Sequence, residues 1–416
     1  MSTVIMNAPI SRLGFHYFPD DSHYSEKDLE EWLPTLLRLS ANWLVLPAAP
    51  DRLIPEAFIK GLKEAGIRPV VWIKGHADDI TAELLSPTLA NYGEWGVTEV
   101  VVFDRPNIRS SWSSSEWARS GLVERFVDRM LPILQLERAS GMHPVFPPLE
   151  PGGDYWDTAF LETALQSMLR RGHRSLVEDL HLAIYARTFG KPLEWGYGGP
   201  KEWAANRPYN TPDDSQDQIG FRTFDWYAAT SESVVGKALP MIVVAGGPAS
   251  TLEDGDGEIA SVLRAVQTGQ LPQSVLGFNF YLLSANPNSP DSNSAWFDSP
   301  TQPRAVVGSA KRVLDVGGLA SPTPASKTLS HFVLLPDGPM SEDTWAIVKT
   351  LVKDGVIGFS AEEALQADRV TILGDEAAVP PSVERKLVEG GCTVTRVKGP
   401  SEMFVAAWKA TYRDGK

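Results

Sequence analysis

The chain has little that would cross-link it, anchor it or bind a metal. Its 416 residues include one cysteine, Cys392, which excludes an intramolecular disulfide and any cysteine-based metal site. No apolar run approaches ~18 residues, so no segment reads as a membrane span and no membrane insertion is expected. The seven histidines include no His-x-His or His-Glu-x-x-His spacing, and the carboxylates do not recur at ligand intervals. Glu253–Glu258 (EDGDGE) lacks the full calcium-loop spacing. No Gly-rich phosphate loop follows the first strand signal, so neither a metal nor a nucleotide cofactor is expected. Basic residues are also in deficit, 38 against 52 acidic, for a net charge of −14. A field of that sign repels phosphate backbones and anionic lipid, which removes nucleic acid and membrane surfaces from the partners. Met1–Pro9 has neither the basic start nor the apolar stretch of a signal peptide. That reads as cytoplasmic by default, and as extracellular if the N-terminus was processed or replaced.

What remains is the composition of an ordinary globular protein, 43% hydrophobic and 22% charged, with an unusually large set of 13 tryptophans. Several of these sit beside Gly, Pro and Asp, where an indole either stacks on a sugar ring or buries in an interface. Along the chain, short β-like runs alternate with amphipathic helical patterns. Leu13–Phe18 reads as a strand, and Ser25 with Asp28 opens a helix carrying Leu29, Trp32, Leu33, Leu36 and Leu37 on one face. Trp43–Leu46, Arg68–Ile73, Glu99–Phe103, Met142–Phe146, Leu182–Arg187, Met241–Ala245 and Gly277–Leu282 read as the next seven strands, each followed by a helix. Eight β-then-α units in about 305 residues are the repeat number and length of a (β/α)8 TIM barrel. The expected division is a barrel over residues 1–316, a Gly/Pro/Ser/Thr linker over 317–330, and a small three-layer α/β domain over 331–416.

In a parallel barrel the active face is formed by the C-terminal ends of the strands and the loops after them. Those positions hold His16 and Tyr17 after strand one, Trp72 and Lys74 after strand three, and Asp104, Arg105, Asn107 and then Trp112 after strand four. Strand five runs into Phe146–Asp157, carrying Glu150, Asp154, Trp156 and Asp157. Strand six brings Tyr185, Arg187 and, further on, Trp195; strand eight brings Asn279, Tyr281 and then Trp296. Polar groups for hydrogen bonds and aromatic faces for stacking are what a polyol ligand requires, so a carbohydrate or glycan is the expected partner. His16 fits a sugar-hydroxyl partner and a core histidine equally well, and Ser110–Ser115 reads as a flexible rim loop.

The order LGFHYF, helix, ANWLVL, AGIRPVVWI and YGEWGVTEVVVFDRPN resembles the barrel of the retaining glycoside hydrolases whose catalytic glutamates stand on strands four and seven. The resemblance covers about residues 12–315 and implies a sugar-cleaving scaffold. In that clan strand four ends in Asn-Glu-Pro, with the Glu as acid/base, and strand seven ends in a nucleophilic Glu. Here strand four ends Asp104-Arg105-Pro106-Asn107 and strand seven ends Val244-Ala245-Gly246-Gly247. A guanidinium with a pKa above ~12 cannot donate the proton and a methyl group cannot attack, so the clan's mechanism does not carry over.

Two readings follow. In one, a relocated pair hydrolyses the glycosidic bond: Glu150, among Phe146, Pro147, Pro148, Leu149 and Pro151, has the apolar setting of a general acid, and Asp104 is the base that activates water. In the other, the barrel is a catalytically inactive relative that binds a glycan, or a scaffold with a homo-oligomeric or cell-envelope partner. The segment Ala367–Pro400 resembles bacterial cell-wall-binding repeats in its strand, Gly turn, helix and second strand, which implies an envelope partner.

Overall fold

The computed structural model describes residues 11–248, 257–317, 329–336, 356–374, 378–389 and 392–397. The chain divides into two compact units, Met1–Leu319 and Ala320–Lys416. In the first, eight parallel strands follow the order β4-β3-β2-β1-β8-β7-β6-β5. They are β1 (Leu13–His16), β2 (Trp43–Ala48), β3 (Arg68–Ile73), β4 (Glu99–Val102), β5 (Val145–Phe146), β6 (His181–Arg187), β7 (Met241–Gly247) and β8 (Val275–Phe280). A single parallel bridge, Glu99 to His143, spans the gap between β4 and β5 and nearly closes the ring. β5 is shorter than the apolar run Met142–Phe146 suggests. Pro144, Pro147 and Pro148 bracket it, and each lacks the N–H that a ladder needs.

The helices form the outer layer: α1 (Glu26–Arg38), α2 (Glu56–Glu64), α3 (Ala82–Glu94), α4 (Ser114–Trp117), α5 (Leu122–Ala139), α6 (Asp157–Arg170), α7 (Arg174–Glu178), α8 (Thr223–Val235), α9 (Gly257–Gln267) and α10 (Ala305–Gly317). The Ser25 side chain accepts from Asp28 N–H, and Asp28 answers to the Ser25 backbone, a reciprocal cap that fixes where α1 begins. The Ser110–Ser115 segment, expected as a flexible loop, instead joins one turn of 3-10 helix (Arg109–Ser111) to α4. No described helix is long and apolar enough to cross a membrane.

Two apolar layers result from the alternation of side chains along the strands. Leu13, Phe15, Leu44 and Leu46 face the helices. Trp43, Val45, Val70, Trp72 and Val101 face inward and fill the barrel, joined by Ile242 and Val244. Trp43 is too large for an eight-stranded interior unless its neighbours give way. They are Gly14 and Gly277, where an added Cβ would lie 2.5 Å from Trp43 Cβ and 2.7 Å from its indole ring respectively.

After a short hairpin of β9 (Phe297–Ser299) and β10 (Gln302–Pro303), the second unit holds a four-stranded parallel sheet. Its order is β12-β11-β13-β14, with β11 at Leu329–Leu334, β12 at Val356–Gly358, β13 at Ala367–Leu373 and β14 at Thr393–Val397. Val356–Gly358 is too short to show as an apolar run in the sequence. Phe332, Leu334, Val370, Ile372, Leu387 and the buried Cys392 form its core. The helices expected at Glu342–Lys353 and Glu402–Thr411 lie outside the described residues.

Because the Trp43 backbone oxygen would also lie 2.6 Å from a Cβ on Gly14, Gly14→Ala is expected to destabilise the barrel by about 1–3 kcal/mol through overpacking. The readout is a lower urea midpoint with an unchanged slope; an unchanged midpoint would show that the wall has room there.

Candidate functional site

Strand β4 passes into its loop through two residues in the left-handed region, Phe103 at φ 77° and Arg105 at φ 48°. Neither is glycine, so each costs on the order of 1–3 kcal/mol and persists only because neighbours over-determine it. The Trp72 indole N–H donates to Phe103 O at 2.8 Å, and Arg105 N–H donates to Pro148 O at 2.9 Å. The two contortions flank Asp104 and leave its carboxylate, with the Arg105 guanidinium, at the C-terminal mouth of the barrel.

The mouth holds a cavity of about 270 Å³. On one side Arg105 donates to Asp104 from Nε at 3.2 Å and to Glu150 Oε2 from Nη1 at 3.2 Å, so a single guanidinium links both carboxylates. Burial works against the charge on Arg105, but neighbouring Tyr185, Asp104 and Glu150 outweigh it and raise its pKa further. Tyr185 O–H donates to Asp104 Oδ1 at 2.7 Å, and burial, reinforced by Asp104, holds the phenol well above its ordinary pKa. On the other side Tyr281 O–H donates to Asp291 Oδ1 at 2.6 Å, while Arg187 stacks 4.6 Å above the Tyr281 ring and Lys74 4.2 Å above the Trp72 ring. Phe189, Pro151 and Ala245 complete the wall. Ala245 stands at the end of β7, so no carboxylate occupies that position.

Of the residues singled out from sequence, Trp72, Lys74, Asp104, Arg105, Glu150, Tyr185, Arg187 and Tyr281 line this cavity. His16 is fully buried, with its ring edge-on to Trp72 at 5.8 Å and to Tyr281 at 5.0 Å, both of them cavity residues. Neither of its ring nitrogens has a partner. Asn107 is buried and acts as a brace. Its amide N–H donates to Glu150 O and Tyr155 O, both at 2.9 Å, and its oxygen accepts from Glu150 N–H at 2.8 Å.

The other candidates lie apart from the cavity. Asp154 accepts from Arg109 N–H at 2.8 Å. The Trp112 indole donates to Pro106 O at 2.7 Å and the ring is buried beside Phe126. Trp156 packs on Tyr209, and Trp195 donates to Asp217 at 2.8 Å. Asn279 donates to Val243 O inside the wall at 2.8 Å. Trp296 is wedged between Phe15 and Phe280, and Tyr17 packs against Trp32 and Phe58 on the helix side of β1. Asp291 and Phe189 escaped the sequence reading. Asp291 lies ten residues past Tyr281 in the turn Pro290–Ser294, where only Ser289-Pro290 marks a helical start and nothing marks a site.

Glu150 does not sit in the apolar setting that its prolines suggest. Pro151 is buried, but the Glu150 carboxylate points to Arg105. A general acid must hold a proton, and a cation as nearest neighbour is a poor setting for one.

Of the carboxyls in the segment after β5, the buried one is Asp157, at the first turn of α6. It accepts from Gly152 N–H at 3.0 Å, Gln218 at 2.5 Å and Tyr227 O–H at 2.9 Å. Burial pushes it up from 3.8 to about 6.

No protein-family model and no curated protein matches the chain. Comparison with solved structures gives three similar folds. A family 39 glycoside hydrolase from Bacteroides cellulosilyticus WH2 matches at 14% identity over 73% of this chain and 63% of that one, with a TM-score of 0.49. A broad-specificity endoglucanase from Bacteroides salanitronis matches at 11% identity over 73% and 92%, with a TM-score of 0.40. The catalytic domain of a β-amylase from Paenibacillus polymyxa matches at 10% identity over 74% and 99%, with a TM-score of 0.42. The structural neighbours are glycoside hydrolases. This chain therefore spans a little under two thirds of the first of them.

The environment of Asp157 gives a pH-dependent stability. A carboxyl whose pKa rises on folding supports the fold fully below its unfolded pKa, and that support fades as pH climbs through the folded value. Relative to Asp157→Asn, the wild type is expected to lose about 3 kcal/mol between about pH 4 and about pH 7. Denaturant titrations of both proteins across that range read it, and a gap that stays constant with pH would refute it.

Proposed function

We propose that the barrel binds a carbohydrate in the cavity at its C-terminal mouth and that it does so without cleaving it. The observation that carries this reading is the Arg105 guanidinium, bonded to both Asp104 and Glu150. Glycoside hydrolysis needs one carboxyl that keeps a proton while the other stays ionised. The shared guanidinium instead occupies oxygens of both carboxylates with its own donors, where proton delivery or water activation would need them free. The cavity is nevertheless suited to a sugar: charged and polar groups able to bond hydroxyls line it beside the rings of Trp72, Tyr185 and Tyr281. For the C-terminal unit, the resemblance of Ala367–Pro400 to cell-wall-binding repeats supports a part in holding the chain at an envelope.

A second reading keeps hydrolysis with inversion, with Asp104 as base and Glu150 as acid. It is favoured by the fact that both carboxylates line the same cavity. The two readings part in one experiment, in which a glycan array and a reducing-end assay are run on the wild type, Asp104→Asn and Glu150→Gln. The expected result is retention of a glycan by the wild type, no released reducing ends, and at least tenfold weaker retention by the variants, or ~1.4 kcal/mol. Product formation abolished in both variants would install the hydrolytic reading in its place, and retention of no glycan would end both.

A further inference from the structure

Cavity charges are distributed unevenly. Arg105 is engaged by two carboxylates, which leaves that side with an excess of negative charge. Lys74 and Arg187 face the same cavity, and among the described residues neither makes a salt bridge or a hydrogen bond. Each has an aromatic face beneath it instead, Trp72 for Lys74 and Tyr281 for Arg187. The one remaining carboxylate of the cavity, Asp291, is taken by Tyr281 O–H. Lys74 lies in the fields of Asp104 and Asp291 without closing to an ion pair with either, and burial still lowers its pKa; a cation without a bonded counter-charge in a partly closed cavity is held at a cost.

The floor beneath them carries no charge to offset theirs. His16 is fully buried with both ring nitrogens unpartnered, next to Trp72 and Tyr281. Burial first, then the positive fields of Lys74 and Arg187, hold its pKa well below the ordinary histidine value. A neutral imidazole behind Trp72 and Tyr281 therefore supplies no anion to pair with Lys74 or Arg187. Although the whole chain is strongly acidic, screening over about 8 Å in physiological salt leaves the local cations to decide what enters.

Resting on the carbohydrate reading above, we infer that the sugar bound here is an acidic one, whose anionic substituent, a uronate carboxylate or a sulfate ester, sits against the unpaired Lys74 and Arg187. A guanidinium and an ammonium from different strands would then grip one anion. The fork of Arg187 suits two oxygens of a carboxylate or sulfate, and Lys74 adds a point charge.

The test is calorimetric titration of the full chain with methyl glucuronoside, methyl glucoside and methyl glucoside 6-sulfate. An acidic sugar is expected to bind at least tenfold more tightly than the neutral parent, with the advantage shrinking as salt is raised. Preference for the glucuronoside assigns a carboxylate, and preference for the 6-sulfate assigns a sulfate ester. Lys74→Met and Arg187→Met should each remove most of the advantage, with thermal unfolding midpoints no lower than that of the wild type. Equal binding of all three sugars would overturn the inference and leave the carbohydrate reading standing. If none of the three binds, while inorganic sulfate binds in a manner dependent on Lys74 and Arg187, the carbohydrate reading fails and the acidic-sugar inference fails with it. The wild-type comparison decides the matter even if a variant does not fold.

Discussion

At the end of β4 the Arg105 guanidinium lies between the carboxylates of Asp104 and Glu150, and the rest of the mouth is arranged around that link. It joins the loop after β4 to the loop after β5, across the seam where the barrel's own ladder is weakest and a single bridge holds the ring. It also occupies oxygens of both carboxylates with its own donors. Charge pairing at this point makes the edge rigid. Its cost is visible in the backbone, because Phe103 and Arg105 occupy left-handed conformations that their side chains disfavour.

The interior below the mouth obeys a different constraint, which is volume. Two indoles from adjacent strands occupy a space that most eight-stranded barrels fill with branched aliphatics. Gly14 and Gly277 make room for Trp43, and Trp72 extends from that packed layer to the floor of the cavity. Trp72 thereby serves two purposes at once. Its ring supports Lys74 from below, and its N–H fixes the carbonyl of the strained Phe103.

Much of the architecture was legible in the sequence because burial on both faces writes a parallel strand as a short apolar run, and each amphipathic helix repeats its own period. Eight such units lead directly to the ring. Strand ends were legible less well. β5 loses residues to prolines whose missing donors do not register in hydropathy. Eight of the strand-end residues meet in one cavity because such positions converge by geometry, whatever their distance in sequence. The tryptophans were the least legible. Trp112, Trp156 and Trp296 stand in loop-like sequence yet are buried, because each packs against residues far along the chain that local composition does not reveal. Asp291 escaped for the converse reason: a turn ten residues beyond its strand folds back over the mouth.

Asn107 offers a consequence for anyone reshaping this protein. Through one side-chain amide it binds the backbone of Glu150 on both its N–H and its carbonyl, and that of Tyr155 as well. The fourth and fifth rim segments are therefore a single mechanical part, stitched by an uncharged group that salt and acidity leave alone. Swapping either segment alone from another barrel would discard half of the stitching; the pair travels together or not at all.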